Sequence, residues 1–358
     1  MAPGVPWEPF VLRSRVRFAV RLPAGVPRVA ACGGLAALML LGLPCARADG
    51  PAGLRDAHGD AALLQSIQEA ALHQSFSGTI VYRRGDEMHA SRVVQSLSGG
   101  ESRERVLTLD GQLREFIRQG EEVQCLYPQL HRVVIEHGGM RSFPAFAAAE
   151  PADVLAHYQL ERGGQERVAQ RMCDVISLVP RDKMRYGYKL CVDPASGLLF
   201  KAQTLDERGE LLEQVAFTDV RIGEPIDPAQ LRPSWSTAGW QIERRTGESQ
   251  ATELSQQGWS VTPPSGFRRL VEVMRKLIRG TEQRPALQAV YSDGLATVSV
   301  FIEPGAPPID DAVQTQQRGP ITAVSRQVGD ARVTVVGEVP PSTARSFAES
   351  VVHNAPPH

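Results

Sequence analysis

The stretch from Cys173 to Cys191 reads CDVISLVPRDKMRYGYKLC and decides how the middle of the chain folds. Two short apolar runs flank a polar segment that begins with a proline, a pattern typical of two antiparallel strands joined by a turn. If Val179 faces Arg185, then Cys173 faces Cys191, and apolar side chains meet on the other side of the hairpin. The hairpin therefore predicts a disulfide between Cys173 and Cys191, with two reduced thiols as the alternative.

Short strand-like runs separated by turn residues extend from this hairpin in both directions. Six such runs lie between residues 79 and 136, and two more lie between residues 198 and 220. Because their connections are too short for crossover helices, the strands are expected to pair as antiparallel neighbours. A helix beginning at Asp60 is predicted before them, from apolar residues at helical spacing as far as Leu72. Residues 49–224 are therefore predicted to form a first domain that is mostly one large antiparallel sheet.

One segment of this domain interrupts the strand pattern. Residues 138–151 contain glycines, prolines, four alanines and the aromatic residues Phe143 and Phe146. The composition predicts a mobile, apolar loop, and a short helix is expected directly after it, at residues 153–158.

A second domain is predicted downstream of a change in composition. Prolines cluster near residue 225, so the linker is placed at residues 225–250 and the second domain at residues 251–352. Two hairpins are expected, at residues 288–303 and 321–336, and Ser342 is expected to cap a short last helix. The run at residues 268–279 fits a strand or a helix equally well. Residues 353–358 are predicted to be a disordered tail.

The amino terminus has the order of a secretory signal peptide. Arginines precede an apolar run at residues 29–43, and Ala46 and Ala48 supply the small residues that signal peptidase requires. Residues 1–48 are therefore expected to be removed on export. Removing their six arginines and one glutamate from 39 basic and 40 acidic residues leaves a net charge of about −6. Such a mildly acidic chain does not favour nucleic-acid binding.

The sequence contains none of the local motifs that mark common enzymes. There is no Gly-x-Ser-x-Gly, His-Glu-x-x-His, Cys-x-x-Cys or phosphate-binding glycine loop, and the eight histidines are scattered. No cofactor, metal or catalytic residue is predicted. A hydrolase with a dispersed site is the weakest of the alternatives, and a protein that acts by binding is favoured.

The order of several short motifs resembles the MucB/RseB family of periplasmic sigma-E regulators. The motifs begin with FSGT at residues 76–79, YGY at residues 186–188 and DERG at residues 206–209. They continue with PSGF at residues 264–267 and YSDGL at residues 291–295. The basic segment at residues 268–284 is longer than this family pattern leads one to expect.

The resemblance implies a mostly β, α+β protein with two domains. The first would be a curved antiparallel half-barrel with helices, of the LolA-like lipoprotein-carrier type, and the second a smaller α+β domain with an antiparallel sheet. It also implies a partner, the periplasmic part of a membrane-bound anti-sigma factor, which the protein would shield from a site-one protease until a lipid-like signal releases it. A periplasmic lipid or lipoprotein carrier is the alternative function.

Two sets of candidate binding residues follow from these expectations. Aromatic and apolar residues of the first domain are candidates for a cleft that accepts a lipid or a lipopolysaccharide fragment: Phe116, Leu126, Tyr127, Phe143, Phe146, Tyr186 and Tyr188. Aromatic and basic residues of the second domain are candidates for contact with an acidic partner segment: Trp259, Phe267, Arg268, Arg269 and Tyr291. Ordinary core packing is the alternative for the aromatic members of both sets.

Overall fold

The computed structural model describes residues 52–98, 101–137, 150–245, 250–279, 282–309 and 313–354. Three predicted segments lie outside these ranges: the signal peptide, residues 138–149 of the loop, which include Phe143 and Phe146, and residues 355–358 of the tail. Within them the chain is mostly β, with three α-helices. A large open sheet and a separate, smaller antiparallel sheet confirm the expected fold class.

The first sheet has twelve strands and carries two helices. Its elements are α1 (Ala52–His73), β1 (Phe76–Arg84), β2 (Glu87–Ser98), β3 (Glu101–Thr108), β4 (Glu115–Gln119), β5 (Glu122–Tyr127), β6 (Arg132–His137), α2 (Pro151–His157), β7 (Tyr158–Val168), β8 (Arg171–Pro180), β9 (Gly187–Val192), β10 (Leu199–Leu205), β11 (Leu211–Ile222) and β12 (Gln241–Arg245). The strand order is β12-β6-β5-β4-β3-β2-β1-β11-β10-β9-β8-β7.

The second sheet has seven strands, and a two-stranded sheet and one helix accompany it. These elements are β13 (Gln250–Ala251), β14 (Trp259–Val261), β15 (Arg268–Arg279), β16 (Glu282–Ser292), β17 (Thr297–Glu303), β18 (Val313–Arg318), β19 (Ile321–Val328), β20 (Ala331–Gly337), α3 (Pro341–Ser350) and β21 (Val351–His353). The order of the larger sheet is β13-β15-β16-β17-β20-β19-β18, and β14 pairs with β21. The run at residues 268–279, which fitted either structure, is a strand.

Helix α1 lies across one face of the first sheet. Leu64 and Ile67 of α1 pack among side chains of β7 to β10. Further along the helix, the Gln95 amide of β2 donates to the carbonyl oxygens of Ala71 and Gln74. The helix therefore covers the sheet from its β7 side to its middle, and this covered side is called the α1 face below.

The segment predicted as a linker contributes to the first sheet. Strand β12 pairs in parallel with β6, so the large sheet is mixed and not wholly antiparallel as expected. Just before it, the Ser234 backbone amide donates to the buried Glu115 carboxylate at 3.0 Å, and Trp240 packs against the cluster formed by Leu126, Val133 and Ile135. Much of the segment between the two sheets is therefore fixed to the first one.

The predicted disulfide between Cys173 and Cys191 is present, but the predicted strand register is wrong by two residues. Cys191 lies opposite Val175, and Leu178 lies opposite Tyr188. A shift of two residues leaves every side chain on its own face of the sheet, so the two sulfur atoms still meet diagonally. The register differs because Arg185 does not continue the strand and turns instead toward the second domain.

Two local predictions at the carboxyl end are also corrected. Pro340 occupies the N-cap of α3 without a side-chain hydrogen bond, so Ser342 does not cap the helix. His353 was assigned to a disordered tail, but it ends strand β21 and stacks on Trp259 with ring centroids 4.3 Å apart. The short last helix itself is present, and its residues Ala344 and Phe347 are fully buried.

Candidate functional site

The two domains meet around an ion pair between Arg185 and Asp293. The guanidinium Nη1 of Arg185 lies 2.8 Å from the Asp293 Oδ2 atom, and both side chains are 0% exposed. The two residues are 108 positions apart in the sequence, Arg185 in the connection between β8 and β9 and Asp293 in the turn between β16 and β17, so they belong to hairpins of different sheets. Charges buried to this degree must be matched by hydrogen bonds, because an unpaired buried charge is very costly.

Groups of both domains complete the surroundings of Arg185. Its Nε and Nη2 atoms donate to the two carboxylate oxygens of Asp182, each at 3.0 Å, and Nη2 also donates to the Ser265 carbonyl oxygen. The guanidinium carbon lies 5.2 Å from the ring centroid of Phe267 and 5.8 Å from that of Tyr158. All three guanidinium nitrogens therefore have acceptors, and aromatic rings lie beside the cation.

These contacts shift the pKa values of the groups involved. Burial alone would lower the pKa of Arg185, but the hydrogen bonds to Asp182 and the charge of Asp293 raise it above its ordinary value. Burial would likewise raise the pKa of Asp182, and the hydrogen bonds from Arg185 and the Met184 amide outweigh it, so that this pKa is lowered. Burial raises the pKa of Tyr158 well above its ordinary value. Arg185 and Asp182 are therefore held in their charged forms.

A hairpin turn positions Asp293. Its Oδ1 atom accepts from the backbone amides of Leu295 and Ala296, at 2.9 and 2.7 Å, which closes the turn between β16 and β17. Its Oδ2 atom accepts from Arg185 and from the Tyr158 hydroxyl, at 2.8 and 3.1 Å. The Oδ1 atom of Asp293 therefore stabilises the turn in the second domain, and its Oδ2 atom binds the first domain.

Apolar side chains also cross the boundary in both directions. Met184, from the loop between β8 and β9, packs against the core of the second domain. Leu295, from the turn between β16 and β17, packs within the first-domain cluster that contains Tyr158 and Tyr188. A Cβ atom on Gly266 would lie 2.7 Å from the Arg185 Nη2 atom, so the backbone of the second domain also approaches closely. The set formed by Tyr158, Asp182, Met184, Arg185, Gly266, Asp293 and Leu295 is called the junction below.

Exposed polar contacts surround the junction. Arg268 forms an ion pair with Asp153, and Arg318 forms one with Glu87, each joining the two domains. The Gln317 side-chain amide lies 3.2 Å from the Tyr186 hydroxyl oxygen. Because the charged groups of the two ion pairs are partly or largely accessible to water, these pairs are expected to contribute little to holding the domains together.

The candidate residues for a lipid cleft do not all lie together. Phe116 and Tyr127 are half-buried on the α1 face, and Leu126 lies on the opposite face, as neighbouring strand residues must. Tyr188 packs in the core beneath α1, and Tyr186 is buried at the domain boundary. Of the five candidates that the structure describes, only Phe116 and Tyr127 share a face on a partly open surface, and Phe143 and Phe146 lie outside the described ranges, so a lipid-binding role for this set stays a prediction.

The aromatic candidates for partner contact are core residues of the second domain. Trp259, Phe267 and Tyr291 are 4%, 5% and 2% exposed, and the last two pack against the Phe347 ring. Burial, followed by the nearby charge of Glu272, raises the pKa of Tyr291 to about 12. Arg268 and Arg269 are exposed, as a docking role requires, although each already pairs with an acidic residue, Asp153 for one and Glu272 for the other.

The sequence did not reveal the junction. Gly266, Asp293 and Leu295 were noted only as parts of the motifs PSGF and YSDGL, and Arg185 only as a strand residue. A signal was available in Arg185, because a charged residue inside an apolar hairpin needs a partner. The identity of that partner was not readable, since it lies in the other domain.

The described ranges show neither a metal site nor a membrane-spanning helix. No group of three or more His, Cys, Asp or Glu side chains within them is arranged to hold a metal ion. In the same ranges, none of the helices combines the length and apolar character that crossing a bilayer requires.

Fold and junction together define a mostly β protein of two domains joined through a buried ion pair. Family models of the MucB/RseB N-terminal domain and C-terminal domain match residues 60–235 and 253–352, respectively. The chain belongs to the MucB/RseB family.

Individual relatives match over most of the chain. The sigma factor AlgU regulatory protein MucB of Pseudomonas aeruginosa is 34% identical over 302 residues, which cover 80% of this chain and 89% of that protein. The sigma-E factor regulatory protein RseB of Salmonella typhimurium is 28% identical, over 82% of this chain and 91% of that protein. A crystal structure of MucB in complex with MucA(peri) matches with a TM-score of 0.65 and 31% identity, covering 83% of this chain and all of that one.

Proposed function

We propose that this chain is an exported regulator that binds the periplasmic part of a membrane-bound anti-sigma factor and shields it from site-one proteolysis. The observation that carries the proposal is the match of both domains to a family whose member MucB has been solved in complex with MucA(peri). The disulfide between Cys173 and Cys191 supports an oxidising compartment such as the periplasm. The signal peptide at residues 1–48 would direct export and be cleaved on export.

The junction supports a regulator that acts as one two-domain unit. A partner that contacts both domains binds with least loss of entropy when the domains are already held in one orientation. The pair Arg185 and Asp293 would provide that orientation, and binding would then shield a cleavage site sterically. No catalytic group is required for this mode of action.

Release by a lipid-like ligand is the second part of the proposal. A ligand can displace the partner only if it binds the partner-free chain more tightly, so lipid and anti-sigma factor must antagonise each other reciprocally. The half-buried Phe116 and Tyr127 on the α1 face are the residues proposed to contact the acyl chain.

A protease-protection assay tests both parts. The periplasmic region of Pseudomonas aeruginosa MucA is incubated with a site-one protease, alone and with residues 49–358 of this chain. The chain is expected to slow cleavage at least tenfold, and lipopolysaccharide is expected to restore it. Unchanged cleavage in the presence of excess chain would contradict shielding, and continued protection at saturating lipopolysaccharide would contradict lipid release.

A periplasmic lipid carrier is the second candidate, favoured only by the partly open position of Phe116 and Tyr127. A carrier should retain lipid through purification and should not protect MucA. Mass spectrometry of the extracted chain, set beside the protection assay, separates the two functions.

A further inference from the structure

The four outer strands of the two large sheets differ in how well their free edges are protected. An edge strand exposes unpaired N–H and C=O groups that can pair with another extended chain, and proteins usually prevent this with charges, bulges or very short strands. Three of the four strands that form these edges follow that rule. The fourth, β18, does not.

The protected edges use three different devices. Strand β7 has a register shift between Arg162 and Gln165 and carries several charged residues in the sequence YQLERGGQERV. Strand β12 has three charges within QIERR, and β13 is only two residues long. Each of these edges is therefore a poor template for a further strand.

Strand β18 lacks all of these devices. Its sequence is VQTQQR, with neither charge nor proline nor glycine before Arg318, and its pairing with β19 runs without a register shift. Five of its six residues are exposed, and the Val313 side chain is 40% exposed. Within the ranges that the structure describes, β18 is the outermost strand of its sheet. Its outer edge is therefore a regular row of backbone donors and acceptors open to an incoming strand.

We propose that β18 is the docking edge for an extended segment of the anti-sigma factor, which would add to the second sheet as an eighth strand. This inference rests on the proposed function. A row of free backbone groups is complementary to another extended backbone, and such strand addition is a common mode of peptide recognition.

Side chains on β18 define the kind of segment that fits. Thr315 lies opposite Val324, which is fully buried, so an apolar side chain set beside Thr315 would extend the core of the domain. Gln314 and Gln316 lie on the other face of the sheet and suit polar neighbours. The centre of the strand carries no charge, so a segment of about six residues with alternating apolar and uncharged polar side chains is expected.

The position of β18 links the segment to both domains. At the end of the strand, Gln317 contacts the Tyr186 hydroxyl, and Arg318 pairs with Glu87 of the β1–β2 hairpin. A strand added to β18 would therefore run beside the domain boundary. A change in domain orientation would alter its contacts, which is what release by a second ligand requires.

Hydrogen exchange tests the proposal on the full mature chain, residues 49–358, with the periplasmic region of Pseudomonas aeruginosa MucA as the probe. Exchange of the β18 amides is measured by mass spectrometry for the free chain and at saturating MucA. At least tenfold slower exchange at residues 313–318 in the complex is expected. Binding without slower exchange at those residues would overturn the docking edge and leave the proposed function standing, and absence of binding would overturn both.

Substitutions give a second measurement. Gln316→Lys places a charge on the open edge and is expected to weaken MucA binding at least tenfold without changing the thermal unfolding midpoint. The matched control is Gln159→Lys, an exposed glutamine on the protected edge strand β7, which should leave binding unchanged. Equal affinities for the two variants would contradict the proposal. Amide exchange at residues 313–318 that becomes slower as the concentration of the free chain rises would also contradict the proposal, because the edge would then bind a second copy of this chain.

Discussion

The ion pairs that join the two domains fall into two kinds that differ in burial. Arg185 and Asp293 are 0% exposed, whereas Arg268 and Asp153 are 56% and 31% exposed and Arg318 and Glu87 are 51% and 50% exposed. Water and salt screen the exposed pairs, so each is worth about 0–1 kcal/mol. The buried pair is different, because each residue would lose a partner that water cannot replace as long as the domains remained closed, although Arg185 would keep the partly exposed Asp182. The buried pair therefore fixes the domain orientation, and the exposed pairs add little to it.

Among the substitutions that test this difference between buried and exposed pairs, Asp293→Ala is expected to lower the free energy of unfolding the most. It would leave Arg185 without its buried partner and remove the two hydrogen bonds that close the Asp293 turn, at a cost of about 3–5 kcal/mol in the free energy of unfolding. Urea denaturation measures this cost. Asp330→Ala, at an exposed aspartate in another hairpin turn of the same domain, is the matched control and should change stability by less than about 0.5 kcal/mol. A loss below about 1 kcal/mol for Asp293→Ala would show that the buried pair does not hold the junction.

The disulfide of the first domain stabilises the loop that carries Arg185. Cys173 and Cys191 are 18 positions apart and close the hairpin that presents Arg185. Replacing both by alanine should lower the free energy of unfolding by about 3 kcal/mol, because the unfolded chain regains the freedom of that loop. Cys125→Ala, at a cysteine outside the disulfide, serves as the control. Equal unfolding midpoints for the double variant and the native chain would mean that the cross-link adds nothing.

Gly266→Ala tests how closely the second domain must approach Arg185. Gly266 has φ +83°, and an added Cβ would lie 2.7 Å from the Arg185 Nη2 atom. Gly239 has a similar φ of +79° with open space around it. Both alanine variants should lose about 1 kcal/mol to backbone strain, and Gly266→Ala should lose about 1–2 kcal/mol more from crowding. Equal losses in urea denaturation would contradict the close packing at the junction.

Arg318→Ala should have the smallest effect. Its pair with Glu87 is exposed, so the expected loss in free energy of unfolding is below about 1 kcal/mol and should disappear in about 0.5 M salt. A loss as large as that of Asp293→Ala, or one that persists in salt, would remove the distinction between buried and exposed pairs.

The strands were largely predictable because their local patterns are strong. The hairpin of Cys173 and Cys191 was found from alternating apolar residues, and its disulfide survived a register error because a shift of two residues preserves the faces of a strand. Strand β18 was not predicted, since VQTQQR has almost no apolar residues. Its pairing with β19, not a local pattern, makes it a strand.

The site was less predictable than the fold. Arg185 leaves its strand to meet Asp293, which is 108 residues away, and no local pattern contains that contact. The aromatic residues Trp259, Phe267 and Tyr291 had the composition of a docking surface, yet they form the core of the second domain. Sequence shows which side chains are apolar, but only the packed chain shows which of them remain accessible.

The most direct test of the account is a calorimetric titration of residues 49–358 with the periplasmic region of Pseudomonas aeruginosa MucA, repeated with the Asp293→Ala variant. The account predicts saturable binding to the native chain and weaker binding to the variant, because the domains of the variant are no longer held in one orientation. Absence of heat and of any detectable complex with the native chain would contradict the proposed function. Equal affinity for a folded variant would contradict the role of the junction.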